Sequence, residues 1–410
     1  MANRSRPQKT RVPYRKYVAG EGFSKVGFTR QDRAHNKEDV VAVDNAANDQ
    51  QELPRSSLNP NSMMTLPWEL QKLIIKYSER PALNYLLVCS RWYWLTVPLI
   101  YRSPKLTSKN FSNFVTAVIA DRKKKMGSYV CELDLSTIMQ SGKNSYVSKL
   151  LRRCSPHLEK FTAPQTSFGY APLISLKACC ELKYLDLGLV SETVKLKELF
   201  QAIKNFTKLT HLSFPRSSID CKGCEGFVWP SNLQYLKLSG GITNEFIRDT
   251  TWPATIKTLE FSYCPQIDEN SLYVLLMRIG NNLRHLYFHY PMPSLRDNSL
   301  DYVFRYCTNL ISIQLTVDYV TKWAFSEYML VEIEGFERPL KTIYLVSSGA
   351  LGMSAKIHPD DFTIAIMEQR LPHLQNLSVS SKLGWDMKSS DVEDLVTAID
   401  DQDGGLYLSH

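Results

Sequence analysis

The chain repeats one short pattern of apolar and polar positions from residue 130 to residue 380. Ten segments fit the template LxxLxL, in which Ile, Val or Phe sometimes replaces Leu. Successive segments start 23 to 34 residues apart, at residues 130, 158, 182, 209, 233, 256, 283, 310, 340 and 374. Alternating apolar positions predict a short strand in each segment, and amphipathic stretches such as VKLKELFQAIKNFTK predict helical returns between strands. One such unit cannot bury both of its apolar faces, so we expect the units to stack.

Most of these steps match the period of leucine-rich repeats. The predicted fold class is therefore α/β, with a leucine-rich-repeat solenoid of about ten repeats over residues 107–410. Two irregularities stand near its C-terminal end. The Gly- and Ser-rich stretch SSGALGMSAKIHPDDF predicts a surface insertion, and GGLYLSH predicts a last partial strand that closes the stack.

A second pattern, with helical spacing, occupies residues 63–106. Leu70, Leu73, Ile74 and Tyr77 recur at steps of three and four residues, which predicts an amphipathic helix. After a break at the sequence ERP, further apolar positions predict two more short helices. A small all-α bundle of about 40 residues is marginal by itself, so we expect it to depend on a neighbour for stability.

The segment that precedes this bundle, residues 1–62, has no apolar periodicity and is basic and polar, which predicts a disordered tail. Its first 16 residues include six Lys and Arg residues and no acidic residue. This basic arm fits a nuclear-import signal, a loose contact with an anionic partner, or a solvated disordered tail. The net charge of +8 is modest, and no sustained basic face with interleaved aromatic residues occurs, so we expect no nucleic-acid partner.

Composition also bears on the compartment. The chain has no run of 18 apolar residues and no secretory leader, so we expect no membrane segment and a cytoplasmic and/or nuclear location. Nine scattered cysteines in mostly apolar surroundings are typical of small core residues in a reducing compartment. Cys221 and Cys224 have metal-like spacing without a second pair, which leaves open a loop with two thiols or a metal or redox pair.

No catalytic motif is recognisable in the sequence. A nucleophile elbow, a phosphate loop, a metalloprotease helix and a dinucleotide fingerprint are all missing. His285, Tyr287 and His289 alternate along one strand, but a metal site there needs a further ligand from a neighbouring strand. We therefore expect a non-enzymatic protein, without a cofactor or a metal, that positions another protein.

The sequence LPWEL…LLVCSRWYWLTVPLIY, within residues 66–101, resembles an F-box. The matching positions are Leu66, Pro67, Glu69, Leu70, Val88, Cys89 and Trp92. With the repeats behind it, the whole chain resembles the F-box leucine-rich-repeat proteins of fungal type. That resemblance implies a box that docks on a Skp-type adaptor of a cullin–RING ubiquitin ligase, and repeats that hold an unidentified target protein for ubiquitination.

The resemblance also implies an adaptor interface in the box. The residues expected at or behind this interface are Leu66, Pro67, Leu70, Ile74, Val88 and Trp92. Alternatively, such side chains form the core of the bundle itself, for which Leu73, Leu86 and Val88 are candidates. Two other functions stay open: an F-box scaffold that acts outside the ligase, and a plain repeat-based interaction protein in which the box is a helical cap.

A target-binding face is predicted from the geometry of the repeats. Residues between the apolar positions of each strand point away from the core, toward the concave side of the coil. The side chains expected on this face are Tyr184, Asp186, His211, Tyr235, Lys237, Glu260, His285, Tyr287, Gln314 and Tyr344. Tyrosine suits an interface because it covers a large area at a low entropic cost. The alternative is an ordinary solvated strand face.

Overall fold

A computed structural model describes residues 66–409, apart from 79–82, 122, 124, 140–143, 166–167, 217–218 and 223–225. The predicted disordered tail over residues 1–62, with its basic arm, lies outside the described residues, and so does Cys224. The predicted boundary between the box and the repeats, at 106/107, falls in the turn between two helices, Ser90–Arg102 and Phe111–Ala120.

Helices form the box and the returns between the strands. They are α1 (Trp68–Tyr77), α2 (Ser90–Arg102), α3 (Phe111–Ala120), α4 (Lys125–Ser128), α5 (Asn144–Cys154), α6 (Tyr170–Leu176), α7 (Leu196–Ile203), α8 (Asn244–Asp249), α9 (Glu269–Ile279), α10 (Val303–Tyr306), α11 (Pro359–Met367) and α12 (Ser390–Asp400). The predicted second helix of the box is a 3₁₀ helix, Leu83–Leu87. Among the described residues, no helix combines the length and the apolar character needed to cross a bilayer.

The strands build one long parallel sheet. They are β1 (Glu132–Asp134), β2 (Lys160–Thr162), β3 (Tyr184–Asp186), β4 (Val194–Lys195), β5 (His211–Ser213), β6 (Ile219–Asp220), β7 (Tyr235–Leu238), β8 (Thr258–Ser262), β9 (His285–His289), β10 (Ser312–Thr316), β11 (Thr342–Val346), β12 (Asn376–Ser380) and β13 (Gly405–Ser409). Eleven of them pair in chain order, whereas β4 and β6 form a separate two-stranded sheet. Each strand is parallel to its neighbours, as expected when helices connect them.

The strand register stacks the apolar positions of all repeats into a continuous core. Leu185 pairs with Leu212, which pairs with Leu236, and the same row continues through every later strand. The inward side chains of this row are almost completely buried as far as Leu377 on β12. The buried faces of the helices pack on the same core, so each repeat covers the apolar surface of the next.

All ten predicted strand segments occupy this sheet, and the predicted α/β solenoid is confirmed. Even the weakest segment forms a strand, β2, and the small side chain of Ala163 directly after it is fully buried. The predicted last strand is β13. The predicted insertion is only partly correct, because its final residues, beginning with Pro359, form α11 behind a capping box made by His358 and Asp361.

Four cysteines behave as the small core residues that the sequence predicts. Cys154, Cys179, Cys264 and Cys307 are fully or almost fully buried. Burial raises the pKa of Cys154, Cys179 and Cys264 to about 12, so their thiols stay protonated and unreactive near neutral pH. The Cys264 thiol also donates a hydrogen bond to the carbonyl of Leu238, at 3.4 Å.

The stacked core predicts a large penalty for emptying one of its positions. Phe288 on β9 is fully buried and stacks on Phe261, with ring centroids 5.1 Å apart. We expect Phe288→Ala to lower the free energy of unfolding by about 3–5 kcal/mol, because it leaves a cavity between two repeats. Guanidinium unfolding followed by circular dichroism measures this change. Met277→Ala, on the exposed side of α9, is the control, and an equal effect of the two substitutions would contradict the stacked core.

Candidate binding surfaces

The first helix of the box turns its apolar stripe outward. Leu70, Leu73, Ile74 and Tyr77 are all exposed, although their spacing is that of a helix face that normally packs on a core. The inward face of α1 is a narrow line formed by Gln71 and Ile75. The wider apolar face of the helix is therefore left uncovered by the residues that the structure describes.

A buried amide fixes this orientation of α1. The Gln71 side chain is completely buried, and its Nε2 donates to the carbonyl of Leu66, at 2.7 Å. The indole Nε1 of Trp92 on α2 donates to Gln71 Oε1, at 3.1 Å, and the Trp92 ring meets Tyr85 edge-on. A polar group buried this deeply is favourable only when its hydrogen bonds are made. Together these bonds join the start of α1 to the middle of the box.

The structure divides the six predicted adaptor residues between surface and support. Pro67, Leu70, Ile74 and Val88 are exposed, and Leu66 is half-buried. Trp92 is only 7% exposed, so it supports the surface from behind and cannot make a broad contact itself.

The predicted core residues of the box need correction. Leu73 and Val88 were candidates for the bundle's core, but both are exposed, and Leu86 is half-buried. Sequence reasoning also missed four exposed side chains of the same region: Trp68, Leu83, Leu87 and Trp94. The exposed fraction of Leu87 is 87%, whereas a leucine at helical spacing is normally taken for core. Large apolar side chains exposed at this density are typical of surfaces that contact another protein or a membrane.

The box is joined directly to the first repeats. The backbone N–H of Cys131, just before β1, donates to the carbonyl of Arg102 at the end of α2, at 2.9 Å. Tyr101 packs on Phe114 of α3, and the Thr137 hydroxyl donates to the carbonyl of Leu106, at 2.8 Å. The end of α2 therefore continues into the solenoid through hydrogen bonds and packing.

On the sheet, the predicted target residues lie in two rows on the face opposite the helices, here called the open face. The first row runs through Tyr184, His211, Tyr235, Thr258, His285, Ser312, Thr342, Asn376 and Gly405. The second row runs through Asp186, Ser213, Lys237, Glu260, Tyr287, Gln314, Tyr344, Ser378 and Tyr407. The four predicted tyrosines thus split, two into each row.

A stack of rings occupies the first row. His211 lies between Tyr184 and Tyr235, with ring centroids 5.7 Å and 5.3 Å away. Burial, followed by the charge of Lys160, lowers the pKa of His211, so the imidazole stays neutral at physiological pH. The His211 Nδ1 is 2.7 Å from the hydroxyl of Thr210, which fixes the plane of the ring.

Glu260 is the electrostatic centre of the open face. Its carboxylate accepts a hydrogen bond from the Tyr235 hydroxyl and pairs with the ammonium of Lys237. The Nε2 of His289 is 3.0 Å from Glu260 Oε1. Burial by itself raises the pKa of Glu260, but the hydrogen bond from His289 and the charge of Lys237 outweigh it and hold the pKa at about 2.

Three other predicted residues, His285, Tyr287 and Gln314, also make hydrogen bonds within the chain. His285 Nδ1 and the Tyr287 hydroxyl both meet the hydroxyl of Ser312, at 2.7 and 2.9 Å. Gln314 Nε2 donates to the carbonyl of Phe288, and it lies 3.1 Å from His289 Nδ1. Hydrogen bonds of this kind account for the two histidines of β9 without a metal ion.

A different group of possible metal ligands lies at the helix ends near the C-terminus. His358, Asp360 and Asp391 bring ligand atoms within 4.8 Å of one another. His358 caps α11, and the two aspartates lie in the first turns of α11 and α12. Carboxylates are stabilised at helix N-termini by the helix dipole, which explains the cluster without an ion.

Comparison with known proteins identifies the family. A family described as the COS11 F-box domain matches residues 63–141. The F-box protein YDR306C of Saccharomyces cerevisiae is 54% identical over the whole of both chains. The protein pof5 of Schizosaccharomyces pombe is 33% identical over 82% of this chain and 95% of its own length. The chain therefore belongs to the F-box protein family.

Solved structures with similar folds are more remote. An internalin, InlF of Listeria monocytogenes, aligns with 76% of this chain and 93% of its own, at 11% identity and a TM-score of 0.37. The yeast complex of Rad7 and Elc1 gives a chain that aligns with 73% of this chain and 93% of its own, at 15% identity and a TM-score of 0.38. The solenoid assignment rests on the strand register of this chain.

The buried amide of the box gives the first prediction for these surfaces. Gln71→Leu leaves the Trp92 indole N–H without its acceptor, which costs about 1–3 kcal/mol for a buried donor. We expect faster hydrogen–deuterium exchange across α1 and α2, measured by mass spectrometry. Lys72→Leu, at the next and exposed position of α1, is the matched control. Equal protection in the two variants would show that the amide does not hold the box.

The depressed pKa of Glu260 gives a prediction about acid stability. An unfolded glutamate titrates near pH 4.3, so the stabilisation from Glu260 is present above that pH and is lost as the pH falls toward 2. Between pH 7 and pH 3 the loss from this group is about 2 kcal/mol. We expect Glu260→Gln to abolish this part of the acid sensitivity in urea unfolding, whereas Glu327→Gln, at an exposed site, retains it. If wild type and Glu260→Gln lose the same free energy of unfolding between pH 7 and pH 3, Glu260 does not have a depressed pKa.

Proposed function

We propose that this chain is the substrate-recognition subunit of a Skp–cullin–F-box ubiquitin ligase. Its box binds a Skp-type adaptor, and its repeats bind a target protein for ubiquitination. The observation that carries the proposal is the outward apolar stripe of α1, because a helix face of this width in a folded protein calls for a partner. Membership of the F-box family supports a Skp-type adaptor as that partner.

The adaptor contact combines two parts of the box. Leu70, Ile74 and Pro67 supply the centre from α1, and Val88 adds to it from the segment before α2. Large apolar side chains of this kind are typical of interface centres that become fully dry on binding. Leu66 and Trp92 act from behind, since Gln71 ties both to the inward side of α1.

The target contact belongs to the open face of the sheet. The two rows of side chains run over eleven strands that the stacked core holds rigidly in register. A rigid row of this length presents many contacts without an ordering cost at the moment of binding. In this arrangement the chain supplies position and no chemistry, and the ubiquitin transfer belongs to the partners. The proposed location is cytoplasmic and/or nuclear.

The adaptor contact is tested by charge placed on the apolar stripe. Leu70→Asp combined with Ile74→Asp puts two carboxylates on the exposed face, so we expect at least a tenfold loss of affinity for the Skp-type adaptor. Calorimetry with purified adaptor and full-length chain measures it. Met277→Asp, an exposed apolar residue on a solenoid helix, is the matched control and should bind normally. Unchanged binding by the double variant, or no binding by wild type, would refute the adaptor assignment.

A second measurement separates the ligase receptor from a scaffold that acts outside the ligase. Wild-type chain isolated from cells should bring down the cullin together with the adaptor. A target that binds the repeats should accumulate when the chain is deleted, and also when the chain carries the two α1 substitutions. Adaptor binding without cullin and without an accumulating target would favour the scaffold.

A further inference from the structure

The open face divides into a charged part and an uncharged part. From β1 to β9, the two rows contain six charged side chains: Glu132, Asp134, Lys160, Asp186, Lys237 and Glu260. From β10 to β13, the eight row positions contain none; they are Ser312, Gln314, Thr342, Tyr344, Asn376, Ser378, Gly405 and Tyr407. Lys341 directly precedes β11, and Lys382 follows β12 by two residues, so both lysines stand outside these rows. A target that covers both parts therefore meets two different chemistries.

The charges of the first part are largely used within the chain. Lys160 pairs with Glu132 at 3.0 Å, and Glu260 is occupied by Tyr235, Lys237 and His289. Recruiting Glu260 or Lys237 for a target would break a satisfied and mostly buried ion pair, which is costly. This part of the face is consequently better suited to holding its own strands together than to capturing a charged peptide.

The uncharged part has the opposite property. Tyr344, Ser378 and Tyr407 follow one another in the second row on three adjacent strands. Among the described residues, none forms a hydrogen bond with the hydroxyl of Tyr344, Ser378 or Tyr407. Tyr344 is 37% exposed and Tyr407 is 52% exposed. By contrast, the hydroxyl of Tyr287, two strands before Tyr344, is hydrogen-bonded to the hydroxyl of Ser312. Three free hydroxyls and two accessible rings are thus concentrated at one place.

The spacing of these residues suits the insertion of one side chain. Neighbouring strands are about 4.8 Å apart, so the two tyrosines originate about 10 Å from each other with the small Ser378 between them. Each ring presents an apolar body and a polar tip, a combination that favours interfaces. We define this group, Tyr344, Ser378 and Tyr407, as the tyrosine pair site.

We infer that the tyrosine pair site takes an uncharged, apolar side chain of the target, with the three hydroxyls hydrogen-bonding to the target's backbone on either side. The inference rests on the proposed function, since it names the kind of target segment that the open face receives. A phosphorylated or strongly acidic segment does not suit this site, because phosphate recognition favours clustered arginines and the uncharged part has none. Binding at this site should therefore depend little on salt.

Photo-crosslinking in cells tests the inference with matched probes. The photoreactive residue p-benzoylphenylalanine replaces one tyrosine at a time in the full-length chain: Tyr344 or Tyr407 in the tyrosine pair site, and Tyr184 or Tyr235 in the charged part. We expect one and the same protein to be crosslinked from positions 344 and 407, and only weakly from 184 and 235. The crosslinked protein is then purified, and its affinity for the unmodified chain is measured.

Three properties of that purified protein decide the question. Its affinity should change less than threefold between 0.1 and 1 M NaCl, should survive phosphatase treatment, and should fall at least tenfold with Tyr344→Ala or Tyr407→Ala. Tyr184→Ala reports on the charged part of the face, and Tyr170→Ala, at an exposed position of α6 outside both rows, is the control that should have little effect. An affinity that collapses in high salt, requires phosphate, or depends on Tyr184 and not on Tyr344 and Tyr407 would overturn the inference.

Failure of the inference is distinguishable from failure of the proposed function. Crosslinks confined to positions 184 and 235 would move the target to the charged part and leave the receptor role intact. A chain that crosslinks to no protein from any of the four positions, while it still binds the adaptor, would overturn both the tyrosine pair site and target binding by this face. If the wild-type chain does not bind the adaptor, the proposed contact of the box is wrong. The crosslinking result is judged separately, because all four probes lie on the sheet.

Discussion

The in-register stacking of inward aliphatic side chains is the interaction on which the rest of this structure depends. Leu236 on β7 lies between Leu212 and Leu259, and equivalent contacts repeat from strand to strand. No single repeat buries its own apolar surface, so each is stable only because its neighbours cover it. The register that this stacking imposes also aligns the outward side chains, which is why polar residues far apart in sequence form continuous rows.

The two candidate surfaces are built from amphipathic elements that face in opposite directions. In the strands, the apolar side chains point inward, and the candidate binding face consists of the outward side chains that alternate with them. In α1, the inward line is polar at Gln71, and the apolar side chains are left on the outside. One hydrogen-bonded amide therefore substitutes for a hydrophobic contact in the core of the box and leaves the hydrophobic contacts available to a partner.

Periodicity predicted the strands well, since a period of two and a fixed spacing leave little freedom in the register. The rows on the open face followed from the same rule, and Tyr184, Glu260 and Tyr344 lie where that rule placed them. Exposure in the box was less predictable, because helical spacing shows that Leu73 shares a face with Leu70 but not which way that face points. Likewise, no sequence pattern reveals that Glu260 on β8 contacts Tyr235 and Lys237 of β7 and His289 of β9.

The outward apolar face of α1 also affects the stability of any chain that has no bound partner. A partner that binds only the folded chain and covers this face raises the stability of the chain by mass action. Molecules in excess of the partner share the same uncovered stripe, and this stripe can associate with other apolar surfaces or be recognised by quality control. The supply of the partner would then limit how much of the chain persists in folded form, even without a separate regulatory site.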